Sequence, residues 1–72
     1  MNKEEIGNFI RNQQPEHTIL EIKLKDDDEP IYIDSHWNIL YNDNSVLIKS
    51  DICGYTHLIS MKTIERISAK KV

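Results

Sequence analysis

This chain carries one cysteine, two glycines, two prolines, one tryptophan and one phenylalanine in 72 residues, and each scarcity closes a class of explanation. A single cysteine, Cys53, cannot form an intrachain disulfide, so the stapled scaffold of many small secreted domains is excluded and a reducing compartment is expected. Gly7 and Gly54 stand too far apart to build a glycine-rich phosphate loop. No apolar run approaches the ~20 residues that cross a bilayer. The opening "MNKEEIGNF" lacks a basic region followed by an apolar stretch, so no signal peptide is expected. These absences predict a soluble, cytoplasmic protein with no membrane role. The length allows one domain, residues 1–72, whose core barely offsets its ordering entropy; domains of this size often gain stability by oligomerising.

The net charge is −3, against a generic polyanion binder, but its distribution is uneven. Residues 1–43 hold ten acids and four bases, whereas residues 44–72 hold two acids and five bases. A local basic face therefore remains open to the C-terminal third, and association with nucleic acid responds to local charge.

In "NKEEIGNFIRNQQ", Ile6, Phe9, Ile10 and Gln13 recur at helical spacing, with Asn2 as N-cap, Glu4 and Glu5 in the first turn, and Pro15 as the stop. This predicts a helix over about residues 3–14. From His17 the period becomes two. "HTILEIKLK" alternates Leu20, Ile22 and Leu24 with Glu21, Lys23 and Lys25, the pattern of a half-buried strand. Asp26–Pro30 breaks it as an acidic turn. "IYIDSHWNILY" reads as a second strand with Ile31, Ile33, Trp37, Ile39 and Tyr41 on one face, provided it runs regularly through Asp34–His36. "YNDNS" is a strong turn. "SVLIKS", "YTHLIS" and "TIERI" are further strands, with strands over about residues 17–67. Five short strands joined by tight turns must be antiparallel. The fold class read from the sequence is thus mainly β with an N-terminal α-helix, a small five-stranded antiparallel barrel that hides its edges by closure.

Candidate sites are few. Cys53 and His57 are separated by ~13 Å along a strand, too far for one zinc with bonds of ~2.0–2.3 Å. "DDDE" lacks the glycine and the ligand spacing of a calcium loop. Ser60, His57 and Asp51 can be drawn as a triad, but no nucleophile turn or oxyanion hole accompanies them. No enzyme, metal or cofactor is expected. Among the aromatics, Trp37 is expected in the core and Tyr41 or Tyr55 at the surface, where an aromatic can stack on a base. Strand parity puts Tyr55, His57 and Ile59 on one face and Leu58 and Ser60 on the other. If Leu58 is core, His57 faces outward.

The helix-then-strands layout, with Tyr55-Thr56-His57-Leu58-Ile59-Ser60 near its end, resembles the Sm-like family and its bacterial Hfq branch. That branch carries a Tyr-Lys-His followed by Ala-Ile-Ser on its fourth strand. "FIRNQQPEHTILEIKL" is similar to the family's passage from helix to first strand. The resemblance implies an Sm-like or SH3-like barrel that assembles as a homo-oligomeric ring and binds single-stranded RNA without catalysis. Carried over by position, it implies His57 as an RNA-contacting residue and Tyr55 at the subunit contact; Thr56, Tyr41 and Asn44 are further candidates for RNA contact and Ile59 and Ile64 for the subunit contact, unless Ile59, Ile64 and Ile67 are simply core. The sequence departs from the family where its uridine-holding lysine is Thr56, where the acidic Asp26–Pro30 replaces an Asn-Gly turn, and where "NDNSV" replaces a Gln-aromatic pair. These departures favour an alternative: a protein-interaction or regulatory module, of the kind a mobile element can encode, with a protein partner and no RNA.

Overall fold

The computed structural model describes residues 1–52 and 54–72. Helix α1 spans Lys3–Arg11. It starts where the sequence says it should. The Asn2 side-chain oxygen accepts the Glu5 amide at 2.8 Å, and the Glu5 carboxylate accepts the Asn2 amide at 3.2 Å. This reciprocal capping box satisfies two donors that a helix start otherwise leaves open. The helix stops at Arg11, shorter than its apolar spacing indicates. The Asn12 and Gln13 amides turn back to the Phe9 and Ile10 carbonyls, and Pro15 opens a 3-10 turn, Pro15–His17. Ile6 is the fully buried residue of the helix; Phe9 and Ile10 pack partly against the core.

Six strands follow: β1 (Thr18–Leu24), β2 (Ile31–Ile33), β3 (Trp37–Tyr41), β4 (Ser45–Ser50), β5 (Thr56–Ser60) and β6 (Ile64–Lys71). They form two separate antiparallel three-stranded sheets, ordered β2-β1-β6 and β3-β4-β5. The expected five-stranded closed barrel is therefore incorrect. The physical reason lies at Asp34–His36. The Asp34 carboxylate captures the Ser35 amide at 2.8 Å, a local bond that replaces a ladder bond. His36 adopts a left-handed backbone, φ 65°, which ends an extended run. The single strand read from "IYIDSHWNILY" is thus cut into β2 and β3, one in each sheet. The junction is pinned elsewhere: the His36 amide donates to the Pro15 carbonyl at 2.6 Å, and the Asp51 amide to the His36 carbonyl at 3.3 Å. The last strand is also longer than "TIERI". It pairs along the whole of β1, from Leu24 opposite Ile64 to Thr18 opposite Lys71, with a register shift at Lys23/Leu24.

The core lies between the sheets. Leu20, Ile22, Ile33, Ile64 and Ile67 come from the first sheet, and Trp37, Val46, Ile48 and Ile59 from the second. Ile6 and Met61 complete it. The predicted facing holds in both halves of the broken strand, with Ile33 and Trp37 buried, since each half keeps its period within its own sheet.

Candidate interaction surface

The two sheets treat solvent differently. On the outer face of the first, Glu21 lies between Tyr32 and Ser68 in register, and Lys23 lies beside Arg66. Arg66 approaches Glu21 at 3.5 Å and Lys23 approaches Glu65 at 3.8 Å. This is the apolar-in, mostly polar-out pattern of an antiparallel sheet, with the exposed Tyr32 and the half-buried Ile19 as the apolar members of its outer face.

The second sheet buries an apolar inner face and carries an apolar row across its outer face as well. Its inner side presents Val46, Ile48 and Ile59. Its outer side carries a row of three leucines, one per strand: Leu40 is opposite Leu47, and Leu47 is opposite Leu58. Leu40 is 60% and Leu58 70% exposed, and Leu47 is half-buried between them. The flanking rows are Asn38, Lys49 and Thr56 on one side and Ser45 and Ser60 on the other. Lys49 is the only charge in these rows. Fully burying a leucine is worth about 1.5–3 kcal/mol, so the row holds contact energy that the isolated chain leaves unused.

The residues assigned to RNA by sequence do not form one site. Thr56 is exposed at the start of β5 opposite Lys49. His57 is half-buried and opposite Ile48, so it sits on the core-facing side, at the margin of the sheet. Leu58 takes the outward position, the reverse of the arrangement that would have turned His57 to solvent. Tyr55 is 70% exposed, with its ring 6.4 Å from that of His57. Tyr41 and Asn44 lie at the opposite end of the sheet. The Asn44 carbonyl accepts the Met61 amide at 2.9 Å in the β3–β4 turn region. Asn44 is four residues from the β4 position opposite His57, ~13 Å, and Tyr41 is two positions from that row, on the far side of β4 from His57. Tyr41 instead lines a groove of about 450 Å³ against α1, with Lys3, Gly7 and Arg11. Partial burial raises the Tyr41 hydroxyl above its ordinary pKa of 10.0, and Arg11 pulls the other way.

Of the three residues assigned to a subunit contact, Ile59 and Ile64 are buried within the chain at 5% and 1%, and only Tyr55 reaches the surface. Among the described residues no three His, Cys, Asp or Glu side chains converge as metal ligands. The Cys53 half of the Cys53–His57 pair lies outside the described residues. No helix among the described residues is long and apolar enough to cross a membrane.

The leucine row does not emerge from the core-facing parity of each strand, because its residues occupy the other parity. The signal was present. In "NILY", "VLIK" and "HLIS", apolar residues occupy neighbouring positions, and in a strand neighbours face opposite ways. One leucine in each must point away from whichever face its isoleucine neighbour buries. No protein-family model, curated protein or solved structure matches this chain.

Proposed function

We propose that this chain is a non-catalytic protein-interaction module that docks a protein partner on the outer face of the β3-β4-β5 sheet. The observation that carries the reading is the in-register row Leu40–Leu47–Leu58, exposed at both ends on a face that should otherwise be polar. The surroundings define the partner's chemistry. An apolar stripe of the partner covers the leucines, and a carboxylate meets Lys49, which makes no ion pair among the described residues. Rim hydroxyls and amides from Asn38, Ser45, Thr56 and Ser60 supply orientation, consistent with an apolar centre and a polar rim.

The test places a photoactivatable leucine at position 47 in the living source cell, then purifies the cross-linked protein and measures its affinity. Wild type is expected to bind it directly, with Leu47→Ser and Leu58→Ser each at least tenfold weaker and Tyr32→Ser, on the other sheet, unchanged. Equal affinity for all four proteins would reject the leucine face as the docking surface.

A second reading is single-stranded RNA binding of the kind the Hfq resemblance implies. The exposed Tyr55 ring, 6.4 Å from that of His57, favours it, because single strands are held by stacking on aromatic side chains. Fluorescence anisotropy with short uridine and adenosine oligomers decides it. Binding at tens of micromolar that is lost in Tyr55→Ala supports RNA, and no binding removes it.

A further inference from the structure

The open edge of β5 offers a second surface, which rests on backbone geometry and goes beyond the docking reading above. The Tyr55 carbonyl accepts the Ser50 amide at 3.2 Å, and the Met61 amide donates to the Asn44 carbonyl at 2.9 Å. Antiparallel ladders alternate, so the odd residues of this strand bond to β4 and the even ones point away from it. The amides and carbonyls of Thr56 and Leu58, and the amide of Ser60, therefore face the open edge. The Ser60 carbonyl accepts the Thr63 hydroxyl at 2.7 Å.

This edge carries none of the usual protections. Thr56–Ser60 contains no proline and no Lys, Arg, Asp or Glu, and its pairing with β4 has no register shift. The other outer strands differ. β6 bears Glu65, Arg66, Lys70 and Lys71. β2 has only three residues and follows Pro30. β3 is tied to Thr18 at the start of β1 through the Trp37 indole and borders the α1 groove at Tyr41.

We propose that two copies of this chain pair β5 to β5 about a two-fold axis at Leu58, joining their second sheets into one six-stranded sheet. The register is self-complementary. Leu58 lies opposite its own copy, Thr56 opposite Ser60, and His57 opposite Ile59, so hydroxyls meet hydroxyls and no like charges are brought together. Leu58 meets its own copy with one donor and one acceptor, the Ser60 amide meets the Thr56 carbonyl, and the Ser60 carbonyl, which already accepts the Thr63 hydroxyl, has a second lone pair for the Thr56 amide. The pairing does not cover the leucine row. It continues it into six leucines over ~24 Å, five strand spacings, giving a partner two equivalent docking faces.

The experiment uses the full chain. In a Cys53→Ser background, Leu58→Cys is expected to form an intermolecular disulfide on mild oxidation, because directly opposite residues of a hydrogen-bonded pair are about 5.5 Å apart. Leu40→Cys, at the far side of each sheet, and Tyr32→Cys, equally exposed on the other sheet, are expected not to. Light scattering of the unoxidised wild type is expected to approach twice the 8.5 kDa monomer mass at high concentration. Leu58→Lys and Leu58→Glu should each be monomeric alone and dimeric when mixed. Because position 58 is exposed, these substitutions leave the fold intact, which circular dichroism checks. Cross-linking at position 40 as readily as at 58, a wild type that stays monomeric, or a mixture that stays monomeric would each overturn the edge pairing. Partner affinity measured through Leu47 is a separate readout, so either idea can fail while the other stands.

Discussion

The Trp37 indole N–H donates to the Thr18 carbonyl at 3.0 Å, and this buried bond joins the first residue of β3 to the first residue of β1. It ties one sheet to the other near the point where the chain crosses between them. A buried carbonyl deprived of its donor costs about 1–3 kcal/mol. Trp37→Phe keeps an aromatic ring and removes the donor, so urea unfolding should show a loss in that range together with some lost packing. An unchanged midpoint would mean that the bond contributes nothing to the closure of the sheets.

Gly7 lies within α1, where glycine is worth about 0.5–1 kcal/mol less than alanine. A Cβ there would meet no atom within 4 Å. Gly7→Ala is therefore expected to raise the thermal midpoint, with a gain of about 0.5–1 kcal/mol. A fall would show that the groove between α1 and Tyr41 needs its present width for the free protein to fold.

His36 holds the left-handed backbone that separates β2 from β3. A β-branched residue is strongly disfavoured there, whereas glycine adopts it without steric cost. His36→Val should destabilise by about 1–2 kcal/mol, and His36→Gly should leave stability unchanged or slightly higher. Equal effects of the two substitutions, read by chemical unfolding, would contradict a conformational role for this position.

The helix, the β1 pattern and most of the core were legible because each is a local period matched to one buried face. Ile6 and Leu20 follow directly from it. The sheet break was not legible, because "DSH" decides it through one side-chain-to-backbone bond and one unusual dihedral, and neither leaves a hydrophobic signature. The length of β6 was hidden for a related reason: "SAKK" is extended by pairing with Thr18–Glu21, a long-range cause. The direction of His57 depended on register. Ile59 falls opposite Val46 in the core, and parity then carries His57 inward and Leu58 outward. The leucine row needed all three strands aligned at once, which only the fold supplies.

If Leu40, Leu47 and Leu58 serve contact with a partner, as proposed, the fold itself does not need them. The most direct measurement is equilibrium urea unfolding of the triple variant Leu40→Thr, Leu47→Thr, Leu58→Thr beside wild type, at a concentration where both are monomeric. Threonine keeps strand propensity on a solvated face. Stability within about 1 kcal/mol of wild type is expected, as for surface positions. A loss of about 2–5 kcal/mol per leucine, the range typical of core truncation, would show that the row belongs to the core and is not a free docking face.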